Sequence, residues 1–352
     1  MRKKLALLAG AAIVAALATV ATPAVSAAAE TVNWSTQSTM PNAGTSATPA
    51  MTNCNGITYM VWKGVGNDTN MYFSAIAAGG TWAPQQLLGG GGGTSTGPTV
   101  TCDFDESIVV AWKGIGSDER IWYTSAQVET SVDQPIGPLQ WSQQKIVDGG
   151  GLTDLSPSLM VLRNANGGQL YLAWKGAGSD TSVHYATLPA LNETWQSLGT
   201  VPGVSTVRSP TLTSGLTAPY SAPTLSLIWP LPGGQNNYST TYLGGSSWSG
   251  PAPIVGGSGA APVATEGPAD GFAPLDNLVA WQGSGSDTHI WYTVDQDGTG
   301  WQSQQVVTNG GPTTNGLAAA DNVWCNDSCD SITAYLAWEG PQQQIEFVSG
   351  LY

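Results

Sequence analysis

The sequence predicts an all-β fold: a six-bladed β-propeller of four-stranded blades, closed by an N-terminal strand that completes the last blade. Three observations predict it. A short apolar strand ending in Trp recurs at Trp62, Trp112, Trp174, Trp229, Trp281 and Trp338, with spacings of 50, 62, 55, 52 and 57 residues. A period of that size marks a propeller or another repeat array. The 352 residues hold 45 Gly and 15 Trp but only 10% charged residues, a composition of turns and strands rather than of helices. Finally, the last unit stops after Ile345 to Ser349, and its missing piece stands near the start. There Val32-Asn33-Trp34-Ser35-Thr36-Gln37 matches the Trp-x-x-Gln of Trp82–Gln85, Trp141–Gln144 and Trp301–Gln304. A ring closed in this way protects its sheet edges.

Each unit then reads in order. A Thr or Ser four residues before Pro49, Pro98, Pro157, Pro210 or Pro262 introduces the innermost strand. The second strand ends in the repeated Trp. In four units it continues as Trp-[Lys/Gln]-Gly-x-Gly-[Ser/Asn]-Asp, ending at Asp68, Asp118, Asp180 and Asp287. Three residues later the third strand begins, as Met71-Tyr72-Phe73, Ile121-Trp122-Tyr123, Val183-His184-Tyr185 and Ile290-Trp291-Tyr292. A further Trp opens the outer strand at Trp82, Trp141, Trp195, Trp248 and Trp301, and a Gly-rich linker leads on. The innermost strand leaves the Pro-bearing face and the second returns to it, so the Asp loops and linkers share that face. The cysteine-bearing hairpins and a long insertion from Gln127 to Gln140 fall on the opposite face. Units four (Trp229-Pro-Leu-Pro-Gly-Gly) and six (Trp338-Glu-Gly-Pro) lack the Asp loop.

Residues 1–29 read as a signal peptide. Arg2, Lys3 and Lys4 precede an apolar run from Leu5 to Val25, and Ser26-Ala27-Ala28-Ala29 supplies the small residues of a cleavage site. Residues 30–352 are then one propeller, expected outside the cytoplasm. No second stretch approaches the ~18 apolar residues of a spanning helix, so no membrane insertion is expected. Removing the leader leaves 7 basic against 24 acidic residues, a net charge of −17. That balance excludes nucleic acid and anionic lipid as partners, since both demand clustered Lys and Arg.

The four cysteines permit three pairings. Cys54 and Cys102 occupy similar places in successive units and could join neighbours, and Cys325 and Cys329 could clip one hairpin. Both pairs read as structural staples suited to an oxidising exterior. No Cys-His spacing suits zinc and no loop gathers enough oxygens for calcium, so neither a metal nor a cofactor is expected.

Among polar residues, Asp68, Asp118, Asp180 and Asp287 recur most regularly. They either accept backbone hydrogen bonds in their own tight turns or take ligand hydroxyls. Lys63, Lys113, Lys175 and Gln282 follow the strand-ending Trp; they either snorkel at the blade edge or donate to sugar oxygens. The Trp residues themselves read as inter-blade packing. The third strand varies at Tyr72, Trp122, His184, Trp291 and Glu346, which alternation turns away from apolar Ile121, Tyr123, Ile290 and Tyr292. Residues that share only bulk and a polar atom suit a ligand surface. Pyranose C–H faces stack on aromatic rings while carboxylates and amides take the hydroxyls. Catalysis is not expected. Arg120, Arg163 and Arg208 lie in non-equivalent places, Asp295-Gln296-Asp297-Gly298-Thr299-Gly300-Trp301 only approaches an Asp box, and neither His184 nor His289 accompanies a nucleophile elbow. A carboxylate pair for glycoside hydrolysis is the weaker enzymatic option.

The repeated Ala-Trp-Lys-Gly-x-Gly-Ser-Asp-x-x-Ile-Trp-Tyr, with Trp-x-x-Gln and Gly-Gly-x-Thr, resembles the propeller lectin repeats of secreted bacterial proteins over nearly all of residues 30–352. It is more distantly similar to six-bladed fucose-binding lectins, which hold sugars between blades with Trp, Arg and Glu. Arg is nearly absent from the repeats here, so fucose specificity does not carry over. Together with export, the repeat also resembles the lectin subunits of umbrella-shaped toxin particles of filamentous soil bacteria. The resemblance implies a secreted, non-enzymatic lectin with repeated inter-blade glycan sites, targeting a larger toxin complex to cell surfaces. The alternative is a protein-docking scaffold in a secreted assembly, with other subunits as partners.

Overall fold

In a propeller both faces of each strand are covered by neighbouring blades, so a strand buried along its whole length is expected. Ile57–Lys63 and Ser107–Lys113 are buried at every position. The computed structural model describes residues 31–351 except 78, 104–105, 129–136, 165–166, 190–192, 217–222, 234–235, 255, 266–276, 296–299, 314 and 324–331. Every regular element among the described residues is a strand, and the strands form six antiparallel sheets, one per blade. Blade one runs outward through Ala50–Cys54, Ile57–Lys63, Met71–Ala77 and Gln86–Leu87; blade two through Thr99–Cys102, Ser107–Lys113, Ile121–Gln127 and Lys145–Ile146. The third strands of blades three, four and five are Ser182–Leu188, Asn237–Gly244 and Ile290–Asp295.

Blade six closes the ring. Its strands Leu317–Val323, Ile332–Glu339 and Gln344–Leu351 are joined by Asn33–Trp34 and Ser38–Gly44 from the start of the chain. Asn33 pairs with Leu351 and Trp34 with Gly350, while Ser38 and Thr39 pair with Phe347 and Glu346. The Ser35 amide donates to the Ser349 carbonyl at 2.7 Å, and the Ser349 amide donates back to Ser35 Oγ at 3.0 Å. Residue 350 must be Gly, because a Cβ there would overlap Val32 and the Trp34 ring.

Two sets of Trp hold the blades together. The strand-ending Trp112 packs with Val61, Met71 and Phe73 of blade one, and Trp62 packs with Ala318 and Ile345 of blade six. Each thus turns toward the preceding blade, the inter-blade role expected from sequence. The outer-strand Trp residues meet aromatic rings of the preceding blade edge-on: Trp141 on Phe73, Trp195 on Tyr123, Trp248 on Tyr185 and Trp34 on Tyr292, with centroids 5.4–5.7 Å apart. The indole N–H groups of these four are buried, and those of Trp195 and Trp34 lie toward the hydroxyls of Tyr123 and Tyr292.

The linkers end in a buried hydroxyl turn. Thr94 Oγ1 donates to the Thr96 carbonyl and accepts from the Thr96 amide, both at 3.1 Å. Thr45, Thr153, Thr206 and Ser258 repeat this two-residue bond. Beyond these turns, Pro49, Pro98, Pro157, Pro210 and Pro262 ring an axial cup of about 110 Å³. The Cys54–Cys102 disulfide ties the innermost strands of blades one and two. Cys325, Cys329 and residues 1–29 lie outside the described residues.

Candidate functional site

The Gly-x-Gly-x-Asp loop is built the same way in four blades. In blade two the Gly114 amide donates to the Arg120 carbonyl, and the Asp118 amide to the Ile115 carbonyl, both at 3.0 Å. Gly116 adopts φ 58°, a left-handed conformation that favours Gly. A Cβ on Gly114 would overlap the Asp118 carboxylate. Each glycine of the motif thus has its own reason: one makes the turn and the other makes room for the acid.

The carboxylate faces two ways. Oδ1 of Asp118 accepts from the Arg120 amide at 3.1 Å, as Asp68, Asp180 and Asp287 accept from Asn70, Ser182 and His289. Oδ2 holds the variable third-strand ring. Trp122 Nε1 donates to Asp118 at 3.0 Å, Trp291 Nε1 to Asp287 at 2.7 Å, and Tyr72 Oη to Asp68 at 3.0 Å; His184 Nε2 lies 2.7 Å from Asp180. This explains why Tyr, Trp and His share the position: each carries a donor at the far edge of its ring. The ring lies opposite the strand-ending Trp of its own hairpin, in the pairs Trp62–Tyr72, Trp112–Trp122, Trp174–His184 and Trp281–Trp291. Tyr72 and His184 stack on that Trp at 6.4 and 5.8 Å. All four rings remain partly exposed.

Charge in the loops is firmly held. Hydrogen bonding to Arg120, whose guanidinium also lies 4.9 Å from the Trp122 ring centroid, pulls Asp118 down to about 2. The His184 contact does the same for Asp180, again to about 2, and the His289 amide lowers Asp287. The Asp68 hydrogen bond raises Tyr72.

The lysines do not snorkel. Lys63 Nζ is buried and donates to Ser46 Oγ, Gly64 O and Gly66 O at 2.7, 3.1 and 2.8 Å; burial lowers its pKa. Lys113 holds Ser95, Gly114 and Gly116 in the same manner, and Lys175 holds Asp154, Gly176 and Gly178. An ammonium has three donors, and all three are spent in each case. Gln282 is likewise buried at the equivalent place.

Blades four and six depart from the pattern. Tyr238 lies on Trp229 at 6.1 Å, and the sequence between them, residues 230–237, contains no Asp or Glu. In blade six Glu346 takes the ring position, accepting from Trp338 Nε1 at 3.2 Å and Gln344 Nε2 at 2.8 Å. Glu339 stands where other blades carry Lys and is bonded by Asn315.

An open cleft of about 440 Å³ lies at the outer edge of blade two, toward blade three. Trp122, Tyr123, Gln144, Ile146, Asp148 and Glu193 line it, with Lys145. Gln144 belongs to the recognised Trp-x-x-Gln. Asp148 and Glu193 sit outside the repeated segments and carried no signal in the sequence. Among the described residues no group of three His, Cys, Asp or Glu could hold a metal.

No protein family and no curated relative matches this sequence. Solved structures do resemble it in shape. AofleA from Arthrobotrys oligospora is similar at a TM-score of 0.62 and 10% identity, covering 90% of this chain and 86% of that one. The fucose-specific lectin from Aleuria aurantia is similar at 0.54 and 12%, over 85% and 89%. The Hadza microbial sialidase Hz136 is similar at 0.59 and 14%, over 86% of this chain and 65% of that one. The chain has the six-bladed propeller fold. At such identities the likeness extends to the fold and no further.

Proposed function

We propose that this protein is a secreted, non-catalytic lectin that binds glycans at its blade edges. One observation carries the reading: four blades present a partly exposed aromatic ring at one register, each pinned by a loop carboxylate. A ring whose orientation is fixed before binding loses little entropy when a pyranose stacks on it. The cleft beside Trp122 adds an amide and carboxylates for hydroxyls. Tyr72, Trp122, His184 and Trp291 are the contact residues, while Asp68, Asp118, Asp180 and Asp287 act by positioning them. Single sites of this kind are weak, and several on one ring gain by multivalency. The fold likeness to a fucose-specific lectin supports this reading, as does the resemblance of the repeat to secreted propeller lectins. Targeting a larger secreted complex to cell surfaces is part of the same proposal.

The fold likeness to a sialidase favours catalysis less. Arg120 is engaged by Asp118 in blade two, and Arg208 stands in the linker after blade three. A docking-scaffold role would seat a partner segment in the axial cup or on the cysteine-bearing face; the cup, at about 110 Å³, is well below an ordinary ligand pocket. Glycan-array binding tests the proposal. The parent chain is expected to bind, and Trp122→Ala with Trp291→Ala to lose that binding while the melting curve stays cooperative. No binding across a broad array overturns it.

A further inference from the structure

We infer that the cleft between blades two and three selects sugars carrying a free, protonated amine and rejects glycans bearing carboxylates. This deepens the lectin reading and rests on it. The apolar part of the cleft is Trp122, Tyr123 and Ile146, enough for one face of a pyranose. Its polar part is asymmetric in charge. Asp148 follows the outer strand of blade two and Glu193 precedes Trp195 of blade three, so two blades each bring an exposed carboxylate to one opening. Acids of the loops and linkers have side-chain partners: Asp118 pairs with Arg120 and Asp154 with Lys175, while Asp180 and Asp287 are hydrogen-bonded to His184 and His289. Asp148 and Glu193 form no ion pair among the described residues. Lys145 also lines the cleft, which leaves two carboxylates against one ammonium.

The surroundings reinforce this balance. Of the 10 basic residues in the sequence, three lie in its first four positions, and Lys63, Lys113 and Lys175 are buried in loop staples. The solvent-facing field is therefore strongly negative and repels anionic glycans at a distance. An ammonium on a hexosamine ring can donate charge-assisted hydrogen bonds to Asp148 or Glu193 while the Gln144 amide takes a neighbouring hydroxyl. An acetylated amine keeps the ring but lacks the charge. A uronate brings a third carboxylate to the opening.

Calorimetric titration of the full chain at pH 6 tests the inference with four probes: a glucosamine oligomer, its N-acetylated counterpart of equal length, an oligogalacturonate and an oligolysine peptide. The glucosamine oligomer is expected to bind about fivefold more tightly than the N-acetylated one, the scale of one exposed ion pair. That margin should shrink with added salt. The oligogalacturonate should not bind. Asp148→Asn with Glu193→Gln should abolish the margin, and both positions are exposed, so the fold should be intact by circular dichroism. Equal affinity for the two oligomers, binding of the uronate, or a margin that survives the double variant would overturn the charge selection alone. Oligolysine binding as tightly as the amino sugar would assign the acids to peptide amines and overturn it too. Failure of both hexosamine oligomers to bind a chain that is retained on a broad glycan array would overturn the amine selection and leave the lectin reading standing, whereas no binding on the array brings down the lectin reading itself.

Discussion

Replacing Trp34 by Ala removes the side chain that seats the first strand on the last blade. Trp34 is only 8% exposed, rests against Gly350 and meets Tyr292 of blade five edge-on at 5.4 Å. Truncating a buried Trp costs about 3–5 kcal/mol, of which the lost aromatic pair accounts for about 1 kcal/mol. The backbone ladder from Asn33 and Ser35 to Leu351 and Ser349 is untouched by the substitution, so the closure should loosen rather than open outright. In a domain of this size each 1 kcal/mol moves the melting temperature by roughly 2 °C, which gives a fall of about 6–10 °C by scanning calorimetry. Trp34→Phe keeps the ring contact and should recover most of it. Leu243→Ala, at a residue 65% exposed, serves as control and should stay within about 0.5 kcal/mol of the parent. A Trp34→Ala protein that melts with the control would refute closure through this strand.

Other outcomes follow from the same geometry. Changing Cys54 and Cys102 to Ser opens a 48-residue separation and should lower the denaturant midpoint by an amount equivalent to about 4 kcal/mol. Lys113→Met leaves Ser95 Oγ and two glycine carbonyls without their donor and should cost about 2–3 kcal/mol in urea unfolding. Asp118 and Asp180 titrate lower when folded, from 3.8 to about 2, so the stability they contribute is present above about pH 3.8 and is lost as pH falls toward 2. Asp118→Asn should accordingly flatten the acid limb of the stability curve. Trp291→Phe keeps the stacking face but removes the donor at 2.7 Å from Asp287. By titration it should retain glycan avidity within about threefold, whereas Trp291→Ala should lower it further, to what the three remaining rings support.

Much of the architecture was legible because it repeats. Six Trp-ending strands set the blade count, and Trp34-x-x-Gln37 betrayed the closure because it copies Trp141-x-x-Gln144. The site was legible only in outline. That Tyr72, Trp122, His184 and Trp291 are special showed in their variability, but their common bond to an acid four residues earlier depends on where the loop puts Oδ2. Neither of the two readings open for Lys63, a snorkelling side chain or a donor to sugar, matches its place in the structure, for a related reason. The left-handed turn at Gly66 brings the carbonyls of residues 64 and 66 around Nζ, which strand alternation does not foretell. Asp148 and Glu193 escaped notice because no register links them; they meet only when the two blades are side by side.

The ring, its clamping acid and the indole opposite all belong to a single hairpin, Trp62 through Tyr72 in blade one and its counterparts elsewhere. Within such a cassette the ring answers to its own eleven residues, while the indole opposite also seals the joint with the preceding blade. One spoke can therefore do without its clamp while the hub stays whole: blades four and six carry no such acid yet keep their place in the circle.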